Sequence, residues 1–276
     1  MTKEPEWILV MRLVWLWSIP QYAYLKEDES MNQVLNVMKD HRSIRNYFNK
    51  EVPEDIINEL IEVAQAAPNS INGQQVSVIV VRDKQKLQKI AELAGNQTWI
   101  AQAPLFFLFI ADFYKMKLAG EKVNKPLVIT DSVEAIVAAA IDIGIAMQNV
   151  ITAAESLGLG IVPIGGVRRD PAELIRLLEL PEYTFPMNGL VIGYPKDQSH
   201  KKPRMPKAAF RHDEVYHKEP ISEVIGEYDT LMVPYLESVN REQEINWSEQ
   251  TMRFYSYVYY PEVYPVMKKQ GFKNEK

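Results

Sequence analysis

The sequence predicts an α+β domain. Three observations carry that reading: amphipathic helical stretches and short β-branched runs are interspersed, they follow no strict βαβ rhythm, and 276 residues suffice for one substantial core. A hydrophobic fraction of 47% and a charged fraction of 24% are those of a soluble globular protein, which excludes a disordered chain and a multi-span membrane protein. No internal repeat or low-complexity tract interrupts the pattern.

Residues 1–30 are set apart from the rest. Trp7 to Leu25 is rich in Trp, Leu, Ile and Val, and Lys26-Glu27-Asp28-Glu29 then turns polar. A membrane span needs about 20 apolar residues, and Arg12 and Pro20 interrupt this run. Thr2-Lys3-Glu4-Pro5-Glu6 lacks the basic start of a secretion signal, and no small-residue cleavage site follows. The segment reads as an N-terminal extension ahead of Met31, with an interfacial anchor as the alternative. Residues 31–276 read as one domain.

Within that domain, residues 32–39 form an amphipathic segment ending at His41. Pro53 followed by Glu54 and Asp55 opens a helix, since orphan N–H groups at a helix start favour acids and do not need the proline's missing donor. Ile56, Ile57, Leu60, Ile61, Ala64 and Ala67 share one face of it. Residues 76–81 and 105–111 are strand-length apolar runs, and residues 188–194 give a third. Asp131-Ser132-Val133-Glu134 resembles a capping box, and the Ala- and Ile-rich helix after it runs to Gly158, a natural residue past a helix end. Apolar around most of its circumference, that helix predicts either the buried axis of the fold or part of a subunit interface. Asp170-Pro171 starts another helix, with Asp as N-cap.

Composition narrows the function. A net charge of −5 argues against general nucleic-acid binding, so any phosphate recognition is local. Without cysteine there is no disulfide, thiol nucleophile or thiolate metal site, and the cytoplasm is the default compartment. His41 stands alone, and His200, His212 and His217 lack metal-ligand spacing, so no metal is expected. Four clusters can carry chemistry. His41-Arg42-Ser43-Ile44-Arg45 can grip an anion, or its cations can merely complement a helix C-terminus. Pro68-Asn69-Ser70-Ile71-Asn72-Gly73-Gln74 offers amides and a hydroxyl to a heterocycle, or is only a loop. Pro163-Ile164-Gly165-Gly166-Val167-Arg168 allows close backbone approach to something flat or charged, or is a tight turn. Lys201-Lys202-Pro203-Arg204 is a basic site or a solvated loop.

Taken together in this order, with Gly95-Asn96-Gln97 and Ala103-Pro104 between them and Asn246-Trp247-Ser248-Glu249-Gln250 near the end, the motifs resemble the nitroreductase superfamily, in its larger NADPH-dependent flavin reductase branch. The resemblance spans most of residues 31–276. It implies a central, mostly antiparallel sheet flanked by helices, in an intertwined homodimer with FMN at the subunit interface and a C-terminal tail embracing the partner. Carried over, His41, Arg42, Ser43 and Arg45 hold the ribityl phosphate and part of the flavin, with Lys202 and Arg204 adding charge. Asn69, Ser70 and Asn72 approach the flavin from the partner subunit, Gln97 meets the ring edge, and the backbone of Ile164, Gly165 and Gly166 lies near N5. Arg241 meets the 2′-phosphate of NADPH, against the opposing charges of Glu242 and Glu244, with Lys201, Lys207 and Arg211 as helpers. The implied activity is ping-pong hydride transfer from NADPH, or NADH, through FMN to nitroaromatics, quinones, azo compounds or free flavin, with no catalytic side chain. Val76 stands where family members often carry Trp, and Pro163 where some carry an aromatic, which leaves substrate shape open. The rival readings are a flavin carrier without efficient turnover, and a flavin-destroying or dehalogenating relative.

Overall fold

A computed structural model describes residues 32–241, 243 and 246–276. The expectations for residues 1–31, and for Glu242 and Glu244 beside Arg241, lie outside the described residues. The chain divides into two compact units, Met1–Asn36 and Val37–Lys276. Of the first, residues 32–36 are described, and they begin helix α1 (Gln33–Lys39).

The second unit is built on one sheet. Its helices and strands, in chain order, are α2 (Glu54–Gln65), β1 (Val76–Val81), α3 (Lys84–Leu93), α4 (Thr98–Gln102), β2 (Leu105–Asp112) and α5 (Tyr114–Lys122). There follow α6 (Glu134–Ser156), β3 (Gly160–Ile164), α7 (Pro171–Leu177), β4 (Thr184–Gly193), α8 (Ile221–Ser238), α9 (Trp247–Tyr255) and α10 (Val263–Lys269). The strands lie in the order β1-β2-β4-β3, and each of these neighbouring pairs is antiparallel. The α+β expectation holds.

Strand β2 explains how the core is divided. Side chains alternate across a strand, and here both sides are covered. Leu105, Phe107 and Phe109 join Leu60 of α2 and Ala139, Ile143 and Val150 of α6 in one buried cluster. Phe106, Leu108 and Ile110 join Leu87 and Ile90 of α3, Ile100 of α4 and Leu174 of α7 in the other. A strand buried on both faces leaves little room for polar side chains, hence the unbroken apolar run from Leu105 to Ala111.

Three local expectations need correction. Residues 160–164, assigned no strand from the sequence, form a fourth strand, and β4 begins at Thr184, four residues before the predicted start. Pro163 is tolerated because β3 is the last strand of the sheet, where a missing donor is least costly. The capping box at residues 131–134 does not form: α6 has Val133 as N-cap with no side-chain cap, and only the Ser132 hydroxyl accepts the Glu134 amide, at 3.3 Å. Asp131 is drawn instead to Lys273 and Lys276 near the C-terminus, at 3.2 and 2.9 Å. Helix α6, for which the sequence left open a buried axis or part of a subunit interface, is long and apolar enough by composition to cross a membrane, and one of its faces is buried. Val137 and Ile141 on the other are 43% and 56% exposed.

Candidate functional site

The segment of residues 41–48 lies along the outer side of β3 and past the end of β4. The Ile44 amide donates to Ile161 O at 2.9 Å and the Phe48 amide to Tyr194 O at 2.9 Å. Close approach requires Gly160, since a Cβ there would lie 2.7 Å from Ile44 Cγ1. Buried Tyr47 pins the segment from below, donating its hydroxyl to Ile44 O at 2.5 Å. Burial pushes its phenol well above the ordinary range, with Arg45 pulling weakly the other way. Fixed in this way, His41, Arg42, Ser43 and Arg45 line a cleft of about 710 Å³.

Two further stretches complete the cleft. Lys202 and Arg204 come from the segment after β4, and Tyr235, Val239 and Arg241 from the end of α8 and just beyond it. Tyr228 of α8 donates to Pro203 O at 2.9 Å and stacks edge-on against Trp247, which ties the basic segment to α8. The Arg204 guanidinium donates to Lys202 O at 3.2 Å, and the Arg241 amide to Leu236 O at 2.9 Å. Opposite charge is present but displaced: Asp40 takes Arg42 at 2.9 Å, Glu155 Oε1 lies 2.7 Å from His41 Nδ1, and Asp197 accepts from Asn46 at 2.9 Å. Among the lining residues, Arg42, Arg45, Lys202, Arg204 and Arg241 face one carboxylate, Asp197. A wall with that surplus, in a chain of net negative charge, has the chemistry to hold an anion locally. Sequence reasoning missed Asp197, Gln198, Ser199, Tyr235 and Val239 here, and weighed His200 only as a metal ligand. Their place directly after a predicted strand and one helical turn from Arg241 was the available signal.

The other predicted residues lie elsewhere in the chain. Asn69 lines a separate cavity of about 410 Å³ with Gln74, Ser77, Lys115 and Asp142, while Ser70 and Asn72 belong to the tight turn beside it. Gln97 turns inward, its amide donating to Ala94 O at 2.8 Å. It also stands over Gly166, where a Cβ would lie 2.5 Å from Gln97 Nε2 and 2.6 Å from Ala94 O. Internal packing therefore already accounts for that glycine. Ile164 ends β3, and Gly165 begins the turn that leads to Arg168. The Arg168 guanidinium bonds Met187 O and lies 5.9 Å from the Tyr260 ring. The chain thus gathers His41, Arg42, Ser43, Arg45, Lys202, Arg204 and Arg241, and keeps Asn69, Ser70, Asn72, Gln97, Ile164, Gly165 and Gly166 outside that cleft.

Comparison with known proteins agrees with this architecture. Residues 38–194 match the nitroreductase family and residues 202–275 the nitroreductase family C-terminal domain. The chain is 48% identical over 249 residues to an FMN reductase [NAD(P)H] of Bacillus subtilis (strain 168), covering 89% of this chain and 100% of that one. The structure of B. megaterium NfrA2 superimposes with a TM-score of 0.86 at 49% identity, over 89% of this chain and 100% of that one. That of the NADPH:FMN oxidoreductase from Vibrio harveyi complexed with NAD+ gives a TM-score of 0.80 at 29% identity, over 88% and 99%.

Proposed function

The chain belongs to the nitroreductase family, and on that premise we propose that it is an FMN-dependent NAD(P)H oxidoreductase. The observation that carries this reading is the cationic cleft. Arg42, Arg45, Lys202, Arg204 and Arg241 come from three stretches far apart in sequence, yet they converge on one space. A dianionic phosphate with a polar tail fits that donor set. Guanidiniums offer paired N–H groups to phosphate oxygens, and Ser43 adds a hydroxyl. The residues present therefore fit FMN.

Bound FMN supplies reversible hydride acceptance at a ring the protein does not have to build. The chain's own residues bind and orient it. On this reading His41, Arg42, Ser43, Arg45, Lys202 and Arg204 hold the phosphate end, and Arg241, which lines the same cleft, meets the 2′-phosphate of NADPH, which favours NADPH over NADH. Asn69, Ser70 and Asn72 stand apart from this cleft, so they reach a flavin only from a second copy of the chain. A homodimer closed over the exposed α6 face supplies that geometry, and the solvent-facing Val137 and Ile141 support it. Acceptors are small oxidants able to lie on an open ring face, such as nitroaromatics, quinones or free flavin. The need for NAD(P)H supports a cytoplasmic place for the enzyme. Anaerobic mixing of the FMN-loaded protein with NADPH and with NADH tests the reading. Rapid loss of the oxidised flavin absorbance is expected, and a flavin that stays oxidised with both would make the protein a carrier.

A further inference from the structure

We propose that Asp142 of α6 is a positioning residue for the loop of residues 69–75, clamping it in the shape that meets the cofactor. The proposal rests on the reading that this loop touches a flavin.

The loop is strained. Ile71, Asn72 and Gln74 all lie in the left-handed region, with φ of 50°, 55° and 52°. Asparagine adopts that region readily, but a β-branched residue there is an outlier. Ile71 also points away from the core and is 96% exposed, so no burial of its own side chain repays the conformation. Strain of this kind persists only where the surroundings over-determine it, and it gathers at functional sites.

Asp142 is the element that over-determines it. The carboxylate is 3% exposed. The Ser70 amide donates to its two oxygens at 3.2 and 3.1 Å, and the side-chain amide of Gln75 donates to Oδ2 at 2.6 Å. Ser70 and Gln75 flank the left-handed run, so one side chain holds both of its ends. Gln75 is itself buried at 4% and lies against Gly73, where a Cβ would fall 2.3 Å from Gln75 Oε1. Inside this frame Asn69 Oδ1 accepts the Gln74 amide at 3.1 Å, and Lys115 Nζ donates to Gln74 O at 2.6 Å. A buried carboxylate met by neutral donors is costly to place in an apolar helix, and core packing alone gives no reason for one between Ile141 and Ile143. Holding the loop does.

The test compares four variants of the full chain: Asp142→Ala, Asp142→Asn, Asn69→Ala, and Ala139→Gly as a destabilised control on the same buried helix face. Apo-protein is titrated with FMN by flavin fluorescence, and thermal midpoints and NADPH kinetics are recorded alongside. Asp142→Ala leaves the Ser70 amide and the buried side-chain amide of Gln75 without their shared acceptor, and FMN affinity should fall by about tenfold or more. Asp142→Asn keeps an acceptor for the Ser70 amide and should recover affinity to within about threefold of the wild type. Ala139→Gly should lower the midpoint and leave FMN affinity unchanged. If Asp142→Ala does not fold, Gln75→Leu, which releases one end of the clamp, replaces it with the same expected loss. A loss with Asn69→Ala but none with Asp142→Ala overturns the clamp, as does a loss matched by Ala139→Gly at equal destabilisation. If neither Asn69→Ala nor Asp142→Ala changes FMN affinity, the loop is not at the flavin, and the reading beneath the proposal falls with it.

Discussion

The cationic cleft and the loop of residues 69–75 solve the same problem, holding an irregular segment still, by opposite means. In the cleft the scaffold uses neutral pins: the phenols of Tyr47 and Tyr228 donate to the carbonyls of Ile44 and Pro203. Around the loop it uses ions, with Asp142 and Lys115 bonded to the loop itself. The difference follows from what each segment offers. At the cleft, Asp40 and Glu155 already meet Arg42 and His41, and neutral pins hold the backbone without drawing further on the positive charge. A segment that presents amides can be anchored by charges, which are consumed internally.

The strongest way to break this contrast is to remove charge from the cleft. Arg204→Ala should lose FMN, because each missing charge-assisted bond to the phosphate costs about 1.5–3 kcal/mol, or roughly ten- to a hundredfold in affinity. Flavin absorbance of the purified variant measures it, and a fully yellow Arg204→Ala protein would take the phosphate out of this cleft.

Arg241→Ala should act more narrowly. An exposed ion pair contributes about 0.2–1 kcal/mol, so kcat/KM for NADPH should fall by no more than about fivefold, while that for NADH stays level. Equal losses with both nicotinamides would assign Arg241 to the flavin instead.

Removing a neutral pin should touch stability before binding. Tyr47→Phe forfeits a buried hydrogen bond worth about 1 kcal/mol. It should also change the pH dependence. Because burial raises the folded-state pKa of Tyr47, its contribution is complete below the unfolded phenol's pKa, near 10, and drains away as the pH climbs above it. Urea midpoints between pH 8 and 11 should therefore fall less steeply for Tyr47→Phe than for the wild type.

The smallest effect should come from the acid side, far from both segments. Hydrogen bonds from Lys276 and Lys273 hold the Asp131 carboxyl below its usual range. That contribution is present above the unfolded carboxyl's ordinary pKa and lost as the pH falls through the lowered value. Asp131→Asn should lower stability slightly at neutral pH, where the contribution is present, converge on the wild type at low pH, and so flatten the acid limb of a stability curve slightly. A steep acid loss in the variant would place the sensitivity elsewhere.

What could be read from the sequence followed the reach of each interaction. Arg42, Arg45, Lys202 and Arg204 were legible because their short motifs carry their chemistry openly. Strand β1 and strand β2 were legible because their apolar runs are local. Strand β3 was not, since Gly160 and Pro163 look like turn residues until β4 and Ile44 are seen on either side. The failed capping box has the same cause: Asp131 has its ties with residues more than 140 positions away. Asp142 is an acid in the middle of an apolar helix, and a role for it appears only once the fold brings Ser70 and Gln75 to it.

The strip of residues 41–48 also guards the sheet. By pairing with Ile161 and with the chain just beyond β4, it covers the backbone of the terminal strand, where exposed N–H and C=O groups would otherwise recruit a strand from another molecule. The segment proposed to present cations to a ligand is thus also a cover against edge-to-edge aggregation. A substitution at Ile44 that loosened it would uncover a sticky edge as well as spoil a binding site, and insolubility on expression would be the first sign.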